Sequence, residues 1–151
     1  WEYYLRLDTT EDQFDFDMFQ DNAPTSTHFD VKANDHVNEN TQPIVAMLFA
    51  SVSGISKCGY WTGSGGSNTQ TITTGFQPRF VIIKRTDSTS DWYVADTTRG
   101  WDSGINDQVL ALDSSSAQYG LEIGAPTSTG FTVTGNGVNN SSAKYIYYAH
   151  A

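Results

Sequence analysis

Apolar and polar residues alternate along much of this chain, and the period is two. Residues 13–19 place Phe14, Phe16 and Met18 on one side of an extended chain and Asp15 and Asp17 on the other. That is the pattern of a half-covered β-strand. Residues 27–31 alternate in the same way, and residues 2–7 do so loosely. Further strands are expected at 57–61, 69–73, 79–85, 91–95, 108–112, 120–123, 130–134 and 143–149. Residues 43–50 are almost wholly apolar, which predicts a strand covered on both faces. Turn-forming clusters separate these runs, among them the glycine-rich stretch 62–68 and the loop 97–106 with Gly100 and Gly104. No segment carries an apolar stripe at helical spacing. Short strands with turn signals every few residues predict an all-β fold, an antiparallel β-sandwich of jelly-roll or concanavalin-like type.

The chain also repeats itself. Residues 125–133 read Ala-Pro-Thr-Ser-Thr-Gly-Phe-Thr-Val and residues 23–31 read Ala-Pro-Thr-Ser-Thr-His-Phe-Asp-Val, identical at seven of nine positions. Upstream, residues 4–10 match 109–115, and downstream, residues 45–50 match 146–151. The offset drifts from 105 (109 − 4) through 102 (125 − 23) to 101 (146 − 45), as small insertions produce. Three matched segments in one order indicate a unit of roughly 100 residues present one and a half times. Residues 1–50 are expected to be the second half of a first unit and residues 51–151 a complete second unit, together one compact β domain. Half a sandwich cannot close its own sheets. The first expectation is that its strands join the sheets of the following unit, and the second that another chain completes them. Trp1 opens directly into a strand pattern, with no initiator Met and no signal peptide. With the half repeat, this suggests a piece of a longer protein.

Charge narrows the partners. Lys and Arg number 8 against 17 Asp and Glu, a net charge of −9. Phosphate backbones need clustered cations, so nucleic acid is disfavoured, as is an anionic membrane surface. No apolar run approaches the roughly 20 residues of a membrane helix. The one cysteine, Cys58, cannot form an internal disulfide and reads as a small half-buried thiol.

Candidate chemistry is sparse. The acidic run Asp8, Glu11, Asp12, Asp15, Asp17, Asp21 offers oxygen ligands suited to Ca²⁺, but it lacks the glycine of a calcium loop and reads as a solvated strand face. His28, His36 and His150 show no metal-ligand spacing, so no metal and no cofactor is expected. Gly63-Ser64-Gly65-Gly66 lacks the lysine of a phosphate loop and reads as a hairpin turn. Asp91, Asp96 and Asp102 sit near Trp92, Tyr93 and Trp101. Rings beside carboxylates suit a glycan, and Trp92, Tyr93, Trp101, Asp91, Asp96 and Arg99 form the candidate binding set. Arg99 is expected to bridge Asp96 or Asp91 and pin its loop. The competing readings are rings in the core or an interface, and a glycoside hydrolase using two of Asp91, Asp96 and Asp102.

The motifs Tyr60-Trp-Thr-Gly63, Gln70-Thr-Ile72, Thr74-Gly-Phe-Gln-Pro78, Phe80-Val-Ile-Ile-Lys-Arg85, Asp96-Thr-Thr-Arg-Gly100, Gly130-Phe-Thr-Val133 and Tyr145-Ile-Tyr-Tyr-Ala149 resemble a β-rich domain recurrent near the C-termini of tailed-phage tail, tail-fibre and virion structural proteins. The resemblance covers residues 57–151 in full and 4–50 as a half unit. It implies a non-enzymatic structural and adhesive domain, located in the virion or extracellular. Its partners would be copies of itself in a trimer or larger assembly, other virion proteins, and a host cell-surface polysaccharide. It carries no catalytic residues. A secreted carbohydrate-binding module is the alternative.

Overall fold

The computed structural model describes residues 3–16, 18–19 and 22–151. Among them the secondary structure is strand and turn, with no helix. The strands are β1 (Tyr3–Tyr4), β2 (Phe14–Asp15), β3 (Ser56–Thr62), β4 (Gln70–Thr73), β5 (Phe80–Arg85), β6 (Trp92–Asp96), β7 (Asp107–Ala111), β8 (Tyr119–Leu121), β9 (Pro126–Thr127), β10 (Gly130–Val133) and β11 (Lys144–His150). The chain divides into two compact units, Trp1–Leu5 with Gln13–Leu48, and Arg6–Asp12 with Phe49–Ala151.

The second unit is an antiparallel sandwich. Its larger sheet runs β3-β11-β5-β6-β7-β8 and its smaller one β4-β10-β9. The alternation read from the sequence decides what faces inward. On β11, Tyr145, Tyr147 and Ala149 are buried, and they stand opposite Trp61, Gly59 and Lys57 of β3 and Arg85, Ile83 and Val81 of β5. Gly59 is required here: a Cβ on it would lie 2.6 Å from Cε1 of Tyr147. Phe131 of the smaller sheet meets Trp61, Trp101 and Tyr147 at ring separations of 6.1, 6.0 and 5.3 Å. Trp61 also stacks on Tyr145 at 5.0 Å. Each such buried ring contributes roughly 2 kcal/mol or more.

The outer face of the larger sheet is held differently. Lys84, on β5, is fully buried, and its ammonium donates to the carbonyls of Ser90 at 2.6 Å and Thr10 at 3.0 Å. Burial pushes its pKa down, against the opposing pull of Asp113, Asp91 and Asp12. Ser90 N–H also donates to Thr10 O at 2.8 Å, and Trp92 Nε1–H to Arg6 O at 2.8 Å. Residues 6–12 are thereby fastened across the β5–β6 hairpin.

The first unit departs from the sequence reading. Strand pairing there is confined, among the described residues, to β1 with β2, and these pair only with each other. Residues 27–31 form no strand: Thr25 Oγ1 accepts from the N–H groups of Thr27 and His28 and ties the segment into a turn. Residues 43–50 form no strand either, and Ile44, Val45, Met47 and Leu48 are 54, 90, 72 and 75% exposed. An all-apolar strand needs a neighbour on each side, and among the described residues no strand pairs with this run, although Phe49 packs on Tyr148 and Ala50 O accepts from Ser56 Oγ. Asp17 and Asp21 of the acidic run lie outside the described residues, and among the described ones no group of carboxylates, histidines or cysteine is arranged to hold a metal ion.

Candidate functional site

A cleft of about 370 Å³ opens in the second unit, at the end of the larger sheet where β5 and β6 turn. Arg85, Asp91, Tyr93, Asn136 and Asn140 line it, with Thr10, Thr89, Ser90 and Gly137. Each polar group has a structural reason for its position. Arg85 ends β5, and its Nε lies 2.8 Å from Asp87 Oδ1. Burial pushes the Asp87 pKa up, but the Arg85 hydrogen bond and charge outweigh it and hold the carboxyl below its ordinary value. Asp91 immediately precedes β6 and accepts a 2.9 Å hydrogen bond from the Tyr119 hydroxyl. That phenol is held well above its ordinary pKa, by burial and then by Asp91 itself. Tyr93 is half-buried, and burial likewise raises its pKa.

Asn136 and Asn140 come from the loop between β10 and β11, which a buried amide anchors. Asn139 is fully buried. Its Oδ1 accepts from Ser64 N–H at 2.9 Å, and its Nδ2 donates to Gly65 O at 3.0 Å, Asn68 O at 2.9 Å and Ser64 Oγ at 3.2 Å. One side chain thus closes the glycine-rich turn 63–68 against the loop. Gly63 permits the approach, since a Cβ there would collide with the Asn140 carbonyl.

The six residues proposed from sequence do not converge. Asp91 and Tyr93 reach the cleft. Trp92 lies between them on the strand and so faces the opposite side, half-buried, its indole N–H committed to Arg6. Trp101 is 1% exposed, donates to Gly124 O at 2.8 Å and packs on Phe131. It is a core residue, and no sugar can stack on it. Asp96 and Arg99 sit at the other end of β6, in a concavity of about 660 Å³ with Arg79, Phe80, Thr98 and His150. Asp96 Oδ2 lies 2.6 Å from Arg99 Nε, an ion pair not aligned as a hydrogen bond, and Oδ1 accepts Arg99 N–H at 2.9 Å. This pair pins the loop 96–101, whose Trp101 N–H also returns to Asp96 O. This concavity is the larger, and its Asp96 and Arg99 pair with each other; the smaller cleft brings amides, a carboxylate, a guanidinium and a phenol together.

Asp91 and Asp96 do not form a close carboxylate pair of the glycoside-hydrolase kind. Five residues of extended chain separate Asp91 from Asp96, about 16 Å at the usual strand rise, and their parity sends them to opposite faces. Working pairs stand roughly 5–9.5 Å apart. Asp102 spends its Oδ1 on Gly104 N–H at 2.6 Å. Burial raises the Cys58 thiol pKa, with Lys57 opposing, so the thiol is protonated at neutral pH. Sequence reasoning missed Arg85, Asn136 and Asn140. The clue lay in the polar run 136–142 between two strong strands, which is where a sandwich displays its loops.

The fold and the cleft define an all-β antiparallel sandwich domain with a polar cleft at one end of its larger sheet. The chain belongs to the family described as Domain of unknown function (DUF7483), whose profile matches residues 1–151. No curated protein and no solved structure matches it.

Proposed function

We propose that this chain is a non-enzymatic structural and adhesive domain of a phage-type virion or tail appendage, which assembles with copies of itself and with other virion proteins and binds a host surface polysaccharide. One observation carries the reading. The motifs that resemble tail and tail-fibre proteins fall mostly on scaffold: four of the seven segments lie in β4, β5, β10 and β11, and Trp61 of a fifth is core. A signature made of sheet and core residues points to a shared framework rather than a shared reaction. The cleft lined by Arg85, Asp91, Tyr93, Asn136 and Asn140 supplies the adhesive part. Amides and a carboxylate suit hydroxyl groups, and the Tyr93 ring suits an apolar sugar face.

The test is binding of the 151-residue chain to a panel of bacterial surface polysaccharides by calorimetry, beside light scattering at several concentrations. Binding lost in Tyr93→Ala, together with a trimer or larger species, supports the proposal. Binding by a strict monomer favours instead a secreted carbohydrate-binding module, which the same cleft would serve. Turnover of any polysaccharide would overturn the non-enzymatic reading.

A further inference from the structure

We infer that the concavity where β5 begins and β6 ends is an anion site, that its ligand is a carboxylated sugar of an acidic polysaccharide, and that Arg79 receives the carboxylate. The preference for an anion stands by itself. The choice of a sugar rests on the adhesive reading above.

Charge carries the argument. The chain has 8 Lys and Arg and a net charge of −9, yet two of those cations, Arg79 and Arg99, line this one concavity. They are not equivalent. Arg99 is answered by Asp96, whose Oδ2 lies 2.6 Å from its Nε. Among the described residues no carboxylate pairs with Arg79. Its Nη2 donates to the Thr98 hydroxyl at 3.3 Å, a neutral partner. Two guanidiniums against one carboxylate leave one positive charge unanswered. A guanidinium with donors to spare takes a carboxylate through two parallel hydrogen bonds.

The backbone sets both arginines in place. Arg79 N–H donates to His150 O at 2.8 Å, and Arg79 O accepts Thr97 N–H at 3.0 Å. Arg99 N–H donates to Asp96 Oδ1 at 2.9 Å. Asp96 thus serves the loop, and Arg79 is left for a ligand.

The rest of the lining narrows that ligand. Phe80 pairs with His150 of β11 on one side and Asp96 of β6 on the other, so the three side chains share one face of the sheet. The half-buried Phe80 ring suits the apolar face of a sugar, and Thr98 and His150 suit its hydroxyls. The volume of about 660 Å³ is that of a small-ligand pocket. An acidic peptide fits less well. β5 lies between β11 and β6, and β6 between β5 and β7, so neither strand has a free edge for a peptide backbone to pair with.

Calorimetry of the full chain with short galacturonate and glucuronate oligomers tests this, at about 0.15 M salt, where repulsion from the rest of the acidic chain is screened beyond about 8 Å. The methyl esters of the same oligomers are the neutral controls. The chain should bind one of the acids about 10-fold or more tighter than its ester, and Arg79→Gln should abolish that preference. Lys57→Gln, which removes a cation outside the concavity, should keep it. Arg79 is exposed, so the glutamine variant should keep its thermal midpoint. No binding of either acid, equal affinity for acid and ester, or a preference that survives in Arg79→Gln overturns the inference. A preference lost in Tyr93→Ala but kept in Arg79→Gln overturns it too, by placing the carboxylate in the other cleft. Tighter binding of a short glutamate peptide than of the uronates does the same. Neutral polysaccharide bound through Tyr93, with no acid preference, leaves the adhesive proposal standing and removes this one.

Discussion

Replacing Asn139 should cost more than any other single amide in the second unit. The Asn139→Ala variant strips the partner from Ser64 N–H, Gly65 O and Asn68 O at once. A buried polar group left without a partner costs about 1–3 kcal/mol. Ser64 and Asn68 are exposed, so water reaches them, while Gly65 is half-buried. The sum falls at about 2–4 kcal/mol. Asn139→Asp should be worse, about 4 kcal/mol or more, because it sets a buried carboxylate against the carbonyls of Gly65 and Asn68. A domain of this size has about 5–15 kcal/mol of stability, so the alanine variant still folds. Urea unfolding followed by tryptophan fluorescence measures the loss, since the Trp61 indole is bonded to Val138 O beside the clamp. An alanine penalty under about 1 kcal/mol would refute the reasoning, as would an aspartate variant more stable than the alanine one.

The remaining predictions use other parts of the unit. Gly59→Ala should destabilise by about 1–3 kcal/mol by driving a Cβ into the Tyr147 ring, and Gly59→Ala with Tyr147→Phe should not recover it, because Cε1 remains; thermal unfolding reads both. Asp107 is buried, accepts the N–H groups of Ile123 and Asp102, and has its pKa raised by burial against those bonds. A raised folded pKa gives stability that is full below the unfolded carboxylate range and is lost as pH rises through the folded value. Asp107 therefore adds stability on going from pH 7 toward pH 4, and urea midpoints across that window should show the gain shrink in Asp107→Asn. Cys58 should react slowly with a thiol reagent at pH 7 and accelerate only above its ordinary pKa, because burial raises it. Ser142 has a positive φ of 63°, so Ser142→Gly should be neutral or stabilising by up to about 1 kcal/mol, measured by the same unfolding.

The second unit was legible because every strand in it has its neighbours. Residues 79–85 alternate as Val81 and Ile83 inward, and the sheet gives them Ala149 and Tyr147 to face. The charged end of that strand was less legible. Lys84 is fully buried under the strap 6–12, held by two carbonyls. Sequence spacing could not show this, because the contact joins residues some 74 positions apart. In the first unit the same reading failed at 27–31 and 43–50 for one reason. Hydrophobic pattern states how a strand is to be covered and is silent about whether the cover is present.

The candidate site shows the same limit from the other side. Asp91, Trp92 and Tyr93 are consecutive, so sequence proximity grouped them, yet a strand sends neighbours to opposite faces. Trp92 therefore had to leave the group once Trp92–Asp96 was strand, and Asp96 had to leave with it. What could not be read was the other wall of the cleft. Asn136 and Asn140 reach it only because Asn139, between them, is turned inward to bind the turn 63–68. Asn139 is buried in the fold, while Asn136 is exposed and Asn140 half-buried, and both line the cleft. That division gives the adhesive proposal its sharpest consequence: Asn136→Ala and Asn140→Ala should weaken polysaccharide binding without moving the unfolding midpoint by more than a few tenths of a kcal/mol. Asn139→Ala should lower both together. Equal losses of stability from all three variants would mean that the whole loop is scaffold, and the cleft would lose its claim to be a site.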